Sequence, residues 1–263
     1  MKRFVDSVGH RTLAGIAEMG MATMLLLESL AWTLTGRWRQ QPVRISEVAK
    51  QAMEMGLGAL PIVFVLSFAI GMMLAIQGIY SLSLFGAESK VTFGVALSIT
   101  REFAPLITGI LVAGRSGSAL AARLGTMQIN EEVSALTVMG INPVRYLVAP
   151  PLLAMLIMLP CLTWFADCVA LLGAGIYIVA ELGVSFSAYL NDLRQACDMG
   201  DILHGVGKSA LFALLITLVG VINGLGVTGG AEGIGRVTTR SVVHAISAII
   251  VADMILGFLA TRL

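Results

Sequence analysis

The chain has 263 residues, of which 57% are hydrophobic and only 13% are charged, and its formal net charge is +1. A soluble globular domain carries about 25% charged residues, so this chain has too little polar surface to cover itself in water. The composition predicts an integral membrane protein. The net charge argues neither for nor against an acidic partner, and the sequence has no basic run suited to nucleic acid.

The N-terminal segment, residues 1–55, is predicted to be a cytoplasmic region with an amphipathic helix. It holds seven of the seventeen basic residues and an apolar run over 13–34 that is interrupted by Glu18 and Glu28. On a helix these two glutamates lie about 80° apart, which leaves a wide apolar face. That pattern favours a helix lying in the membrane interface, and a tilted membrane span is the alternative.

Five later segments are apolar and long enough to cross a bilayer, which predicts a transmembrane domain over 56–263. The predicted spans are 56–80, 91–113, 146–180, 206–228 and 242–262. The third contains Pro150, Pro151 and Pro160, so it is either one broken span or two. With one crossing there, twelve of the seventeen basic residues fall on one side. The positive-inside rule makes that side cytoplasmic, with the C-terminus on the opposite side.

Charged residues inside the predicted spans are the first candidates for function. Arg101 and Glu102 lie near the middle of the second span, where an ionisable group costs roughly 2.5–3.5 kcal/mol. Adjacent helix residues do not face each other, so each of the two needs its own partner or a hydrated cavity. We interpret them as lining a substrate cavity, and an internal ion pair such as Arg101 with Asp253 is the alternative. Lys208 and Asp253 are interpreted as a buried charge network.

The polar stretch 114–145 predicts a cytoplasmic loop with a short amphipathic helix. Asn130 followed by two glutamates is a typical helix start, and Gly140 followed by Pro143 is a typical stop. The apolar side of this helix carries Val133, Leu136 and Met139. Its caps favour docking on a partner, and packing on the membrane surface is the alternative.

Neither catalysis nor nucleotide binding is indicated by a motif. Gly224, Gly226 and Gly229 match a dinucleotide-binding spacing but follow a membrane span rather than a β-strand. The sequence contains no metal-ligand spacing and no nucleophile with a matching base. We therefore expect a non-catalytic chain without a metal or cofactor of its own.

Four stretches carry a resemblance to a known family: ALSITREFAP, LVAGRSGSALAARLGTM, EEVSALTVMGINPVRYLVAPPLLA and RVTTRSVVH. They resemble the MlaE family of ABC-transporter permeases, which serve MCE-type systems that maintain outer-membrane lipid asymmetry. The similarity covers residues 5–262. The family's all-α fold, an interfacial helix plus five transmembrane helices working as a homodimer, agrees with the spans above.

The resemblance also implies roles for individual residues. A phospholipid cavity at the dimer interface is implied for Leu74, Leu82, Phe85, Arg101, Glu102 and Phe103. A coupling helix within 127–143 that docks on a separate ATPase is implied for Met127, Glu131, Glu132, Leu136, Met139 and Gly140. Lys208 and Asp253 match charged positions of the family. Ser134 stands where a glutamate is usual in the wider permease motif, so coupling geometry is not carried over from importers outside the family.

The implied function is that of a permease subunit moving glycerophospholipids between a Gram-negative inner membrane and a periplasmic MCE-domain protein. The implied partners are a second copy, two ATPase subunits that bind ATP and Mg, a hexameric MCE protein and a small ATPase-associated protein. Transport of a sterol or fatty acid, or a passive scaffold for a lipid-binding partner, are the alternatives. The sequence sets neither the direction of transport nor the lipid head group.

Overall fold

The structure is a computed structural model that describes residues 15, 17, 20–33 and 43–260. Almost all of these residues are helical and none of them forms a strand, so the all-α prediction is confirmed. The helices are α1 (20–33), α2 (Ile45–Met55), α3 (Leu60–Ser83), α4 (Val91–Ser98), α5 (Ala104–Val112), α6 (Ser118–Ile129), α7 (Glu132–Val138), α8 (Ala149–Leu182), α9 (Phe186–Ala196), α10 (Met199–Leu225) and α11 (Gly230–Ala260).

Five helical segments are long and apolar enough to cross a membrane, which confirms the predicted number of spans. We number them spans 1 to 5: Ile45–Ser83, Glu88–Ile129, Val144–Leu182, Met199–Leu225 and Gly230–Ala260. Short helical turns join several α-helices into one span. In span 2, two π-helical turns, Ile99–Phe103 and Ala113–Gly117, link α4, α5 and α6.

Span 2 is longer than the sequence predicted, because the polar stretch 114–145 does not begin as a loop. The helix continues to Ile129. Two hydroxyl groups of this extension bond within the helix: Ser118 Oγ donates to the Gly114 carbonyl at 2.5 Å, and Thr126 Oγ1 donates to the Ala122 carbonyl at 3.0 Å. Small polar side chains therefore prolong the helix instead of ending it.

Span 3 is one continuous helix, not two. Pro150 and Pro151 lie in the first turn of α8, where a missing N–H leaves no helical hydrogen bond unmade. Pro160 is accommodated inside the helix, which ends at Gly183 with φ +64°. The prolines thus start the long α-helix and do not divide it.

Spans 1 and 3 approach each other through glycines. A Cβ on Gly71 would lie 1.9 Å from the carbonyl oxygen of Ala170, and a Cβ on Gly173 would lie 2.5 Å from that of Phe68. Spans 2 and 4 also pack closely at a glycine, since a Cβ on Gly224 would lie 2.8 Å from the carbonyl oxygen of Ala121. Backbone contacts of this kind hold helices together where no aqueous hydrophobic effect operates.

Helix α1 is attached to the segment that follows α7. Glu28 Oε1 accepts hydrogen bonds from Asn142 Nδ2 at 2.9 Å and from Trp32 Nε1 at 3.3 Å. Glu18, in the first half of the predicted interfacial helix, lies outside the described residues. The placement of this helix in the membrane interface stays a prediction.

Helix α9 is short and packs against α8. Its Tyr189 is buried and donates a hydrogen bond from its hydroxyl to the Leu171 carbonyl at 2.7 Å. Burial raises the pKa of Tyr189 to about 12, so this hydroxyl keeps its proton throughout the physiological range. Helix α9, which lies between spans 3 and 4 in the chain, is therefore held to the bundle by a buried side chain.

Candidate functional site

Arg101 lies on the first π-helical turn of span 2 and is paired with Asp201. Its Nε donates to Asp201 Oδ1 at 2.6 Å, and Nη2 lies 2.5 Å from the same oxygen. The Asp201 side chain is 8% exposed, whereas that of Arg101 is 51% exposed. Asp201 also accepts the backbone N–H of Asp198 at 3.0 Å, which caps the start of α10. A fixed carboxylate thus holds a guanidinium that is half open to its surroundings.

Lys208 is the centre of a second set of ion pairs, and its side chain is more deeply buried than either member of the first pair. Its Nζ lies 2.7 Å from Glu102 Oε2 and 3.0 Å from Asp253 Oδ1. The side chain of Lys208 is 1% exposed, that of Asp253 14% and that of Glu102 44%. One buried ammonium therefore connects spans 2, 4 and 5. We call Arg101, Glu102, Asp201, Lys208 and Asp253 the charged cluster.

The shape of span 2 gives the adjacent residues Arg101 and Glu102 separate partners. Pro105 has no N–H to donate to the carbonyl four residues earlier, and the helix widens to a π turn just before it. Span 4 approaches this turn closely, since a Cβ on Gly205 would lie 2.1 Å from the Thr100 carbonyl oxygen. π turns are frequent at functional sites.

The structure brings together four charged residues that the sequence singled out, but it pairs them differently. The suggested ion pair between Arg101 and Asp253 is wrong: Asp253 faces Lys208, and Arg101 turns to Asp201. Asp201 was missed because it lay outside every predicted span. Its spacing from Asp198, which is typical of a capping box, was the available signal.

A groove between α3 and α4 lies next to the cluster along span 2. Its cavity of about 260 Å³ is lined by Leu74, Gln77, Gly78, Ser81, Leu82, Val91, Gly94, Val95 and Ser98. Of the six residues predicted to face lipid, Leu74 and Leu82 line this groove. Phe85 and Phe103 do not line it and are 82% and 38% exposed.

Polar side chains are the part of this groove that sequence reasoning missed. Gln77 and Ser81 are one turn apart on the otherwise apolar α3, and Ser98 ends α4 directly before the π turn. The spacing of Gln77 and Ser81 within an uncharged span was visible in the sequence. The groove therefore includes three polar side chains, of which Ser98 precedes Arg101 by three residues along span 2.

Helix α7 follows the C-terminal end of span 2. The residues on either side of it adopt the left-handed backbone conformation, Glu131 with φ +58° and Gly140 with φ +74°. Leu136 is 8% exposed, whereas Val138 and Met139 are 89% and 64% exposed.

The predicted coupling residues do not all face outward. Met127 and Leu136 pack toward the bundle, and Glu131, Glu132, Met139 and Gly140 are exposed. Val138 was not predicted, because the sequence placed Met139 inside the helix, on the face of Leu136. The helix ends at Val138 and the turn directs Met139 away from that face. Val138 and Met139 together form what we call the exposed apolar tip.

Five spans, a charged cluster that is partly open beside a groove, and a projecting helix beyond the far end of span 2 define a class of protein. They are the parts of a polytopic helical membrane protein.

The comparison with known proteins identifies the family. Residues 48–259 match the family model described as Permease MlaE, and the chain belongs to this family. It is 32% identical to the intermembrane phospholipid transport system permease protein MlaE of Haemophilus influenzae, over 96% of this chain and 95% of the relative.

Two further relatives are similar over much of the chain. A probable ABC transporter permease protein of Rickettsia bellii is 32% identical over 95% of both chains. The chloroplastic protein TRIGALACTOSYLDIACYLGLYCEROL 1 of Arabidopsis thaliana is 34% identical over 77% of this chain and 58% of the relative. The resemblance found in the sequence is confirmed, and the chain is a multi-pass inner-membrane protein.

Proposed function

We propose that the chain is the permease subunit of an ABC transporter that moves glycerophospholipids between the inner membrane and a periplasmic MCE-domain partner. The observation that carries the proposal is Arg101, a half-exposed guanidinium fixed by Asp201 beside the groove between α3 and α4. Guanidinium groups suit phosphate because they form paired, charge-assisted hydrogen bonds. The name of the Haemophilus influenzae relative supports the same ligand class.

A second copy of the chain would complete the lipid site. The groove of about 260 Å³ is below the roughly 300–1,000 Å³ of pockets for drug-sized ligands. Two acyl chains therefore do not fit within one subunit. Exposed aromatic side chains at the start and along the first half of span 2 would supply apolar surface for such a dimer, namely Phe85, Phe93 and Phe103. The dimer would enclose the acyl chains and leave the two Arg101 side chains for head groups.

ATP hydrolysis would take place in two copies of a separate ATPase subunit, which bind ATP and Mg and contact α7. The exposed apolar tip is the surface that we assign to this contact, and a small accessory protein would bind the ATPase. In this arrangement the N-terminus is cytoplasmic and the C-terminus periplasmic. A hexameric MCE-domain protein would then receive or deliver lipid at the end that carries the charged cluster.

Native mass spectrometry of the complex purified from its own membrane, with identification of bound lipid, tests the proposal. We expect two copies of this chain, two ATPase subunits, a ring of MCE proteins and bound glycerophospholipid. A bound sterol or fatty acid in place of phospholipid would overturn the proposed ligand. A lone chain without ATPase or lipid would overturn the transporter and favour the passive scaffold.

Replacing Val138 with aspartate is expected to release the ATPase from the complex. The new carboxylate would be buried without a partner in the proposed contact, which costs about 3 kcal/mol or more, so the retained ATPase should fall at least about tenfold. Co-purification of the ATPase with the tagged permease measures this. Val184→Asp is the matched control, because Val184 is also an exposed valine but precedes α9. Equal ATPase retention in the two variants would contradict the assignment of α7.

A further inference from the structure

Two arginines line a small cavity at the end of the bundle where spans 1 and 3 begin. Three separate parts of the chain form its walls: the start of α2, the segment after α7 and the start of span 3. The cavity has a volume of about 70 Å³ and is lined by Val43, Arg44, Glu47, Ile141, Arg145, Tyr146 and Pro150. A space of that size holds a few water molecules, so a phosphate group fits but a whole lipid does not.

Both guanidinium groups are available to an anion. Arg44 is exposed and Arg145 is half-buried. Arg145 donates its backbone N–H to Asn142 Oδ1 at 3.1 Å, and its side chain has no such partner among the described residues. The ion pairs found in the described part of the chain are formed by other cations. Each guanidinium therefore keeps its full set of N–H donors for a ligand.

The carboxylates that reach this region are held by neutral donors. Glu47 Oε1 accepts a hydrogen bond from Gln51 Nε2 at 3.3 Å. Glu28, on α1, accepts hydrogen bonds from Trp32 and Asn142. Of these two carboxylates only Glu47 lines the cavity, so the lining carries two positive charges and one negative charge. The balance favours an anionic ligand.

The position of the cavity favours a phosphate that belongs to a membrane lipid. Arg145 is the second residue of span 3, and Tyr146 beside it is of a type common at membrane interfaces. Exposed apolar side chains, Ile157 and Trp164, follow Pro150 at intervals of seven on the same side of α8. Trp164 lies about 21 Å from Pro150 along the helix, which is about the depth of one leaflet with its head groups. An acyl chain therefore has an apolar surface that begins at the cavity.

We propose that this cavity binds the phosphate of an anionic glycerophospholipid, with Arg44 and Arg145 as its ligands and an acyl chain along Ile157 and Trp164. Guanidinium groups suit this ligand because each one donates paired, charge-assisted hydrogen bonds to phosphate. The hydroxyl of Tyr146, which is 41% exposed, is a further donor. The bound lipid would connect the start of span 1 with the start of span 3.

This site is separate from the one assigned to transport. The groove near Arg101 is lined by residues of α3 and α4, and the two cavities share no residue. The proposal requires only that the chain spans a membrane, and it does not depend on the transported ligand.

The test measures the lipid retained by the intact complex, reconstituted in nanodiscs of phosphatidylglycerol and phosphatidylcholine and released for native mass spectrometry. We expect the wild-type complex to retain phosphatidylglycerol preferentially. Arg44→Gln with Arg145→Gln should lower that preference about tenfold, because each interfacial cation contributes about fivefold and Glu47 offsets part of the effect. Arg44→Lys with Arg145→Lys keeps both charges and should lose less. Glu47→Gln keeps an acceptor for Gln51 but removes the negative charge, so it should raise the preference.

A matched control separates this cavity from a general attraction of exposed cations for anionic lipid. Lys50→Gln with Arg236→Gln removes two exposed cations at the same end of the bundle that do not line the cavity, and should leave the preference unchanged. The tenfold loss is also expected in an Arg101→Ala background, which keeps the result independent of the transport site.

Three outcomes would overturn the proposal. The first is an unchanged preference in Arg44→Gln with Arg145→Gln, or a loss equal to that of the control pair. The second is a wild-type complex that retains inorganic phosphate in place of lipid and loses it in the double variant, because the anion would then come from solution. The third is loss of ATPase subunits from the double variant with unchanged lipid, because the cavity would then be a protein contact.

Discussion

Replacement of Lys208 with methionine is expected to destabilise the protein more than any other single change in the charged cluster. The Lys208 side chain is 1% exposed and neutralises both Glu102 and Asp253. Its loss leaves Asp253, which is 14% exposed, as an uncompensated charge among apolar helices. Breaking a buried pair costs about 3–5 kcal/mol, and the lower end applies because Glu102 is 44% exposed and can be hydrated. Thermal unfolding of the purified protein in detergent measures the change.

The physical reason is tested by removing the second charge as well. Replacing a buried ion pair by apolar residues of similar size is often neutral, so Lys208→Met with Asp253→Leu should recover most of the lost stability. Lys90→Met, at an exposed lysine, is the matched control and should be silent. If Lys208→Met is as stable as the wild-type protein, Lys208 does not compensate these carboxylates.

Replacement of Arg101 with alanine is expected to reduce lipid transport far more than protein abundance. Arg101→Ala leaves the buried Asp201 carboxylate, which is 8% exposed, with the Asp198 N–H as its remaining partner, so some loss of abundance is expected beside the larger loss of transport. A hydrogen bond to a charged group is worth about 1.5–3 kcal/mol, which corresponds to a transport rate about ten- to a hundredfold lower. Transfer of labelled phospholipid by the reconstituted complex, normalised to the amount of protein, measures it.

Asp201→Asn distinguishes a ligand contact from a structural ion pair. This variant removes the charge that holds Arg101 but keeps an oxygen that can cap α10. If Arg101 binds a phosphate, Asp201→Asn should lower transport much less than Arg101→Ala, because the guanidinium is still present although its carboxylate partner is lost. If both variants lose transport and abundance to the same extent, Arg101 is a structural residue and the proposed role is wrong.

The spans could be predicted from the sequence because they depend on local composition. Hydropathy alone located all five, since each one needs only about twenty apolar residues to cross the hydrocarbon core. The limits of span 2 could not be predicted in this way. Hydroxyl side chains such as Ser118 and Thr126 lower the hydropathy, yet they bond to their own helix and prolong it.

The candidate site was predictable as a set of charges but not as a set of pairs. Mid-span charges stand out in an apolar sequence, so Arg101, Glu102, Lys208 and Asp253 could all be found. Which carboxylate meets which cation depends on a π turn before Pro105 and on the close approach of span 4 at Gly205. The π turn is local and precedes Pro105, whereas the close approach at Gly205 is a property of helix packing that no spacing in the sequence encodes.

The continuity of span 2 has a mechanical consequence. From Arg101 to Ile129 the chain is helical without a break, and at about 1.5 Å per residue this arm is about 42 Å long. A tilt of about 10° about its midpoint displaces each end of this arm by about 4 Å. A small rotation where the ATPase is proposed to push on α7 would therefore act as a lever at the charged cluster. The turn Ala113–Gly117 lies midway along the arm, where a pivot would be placed.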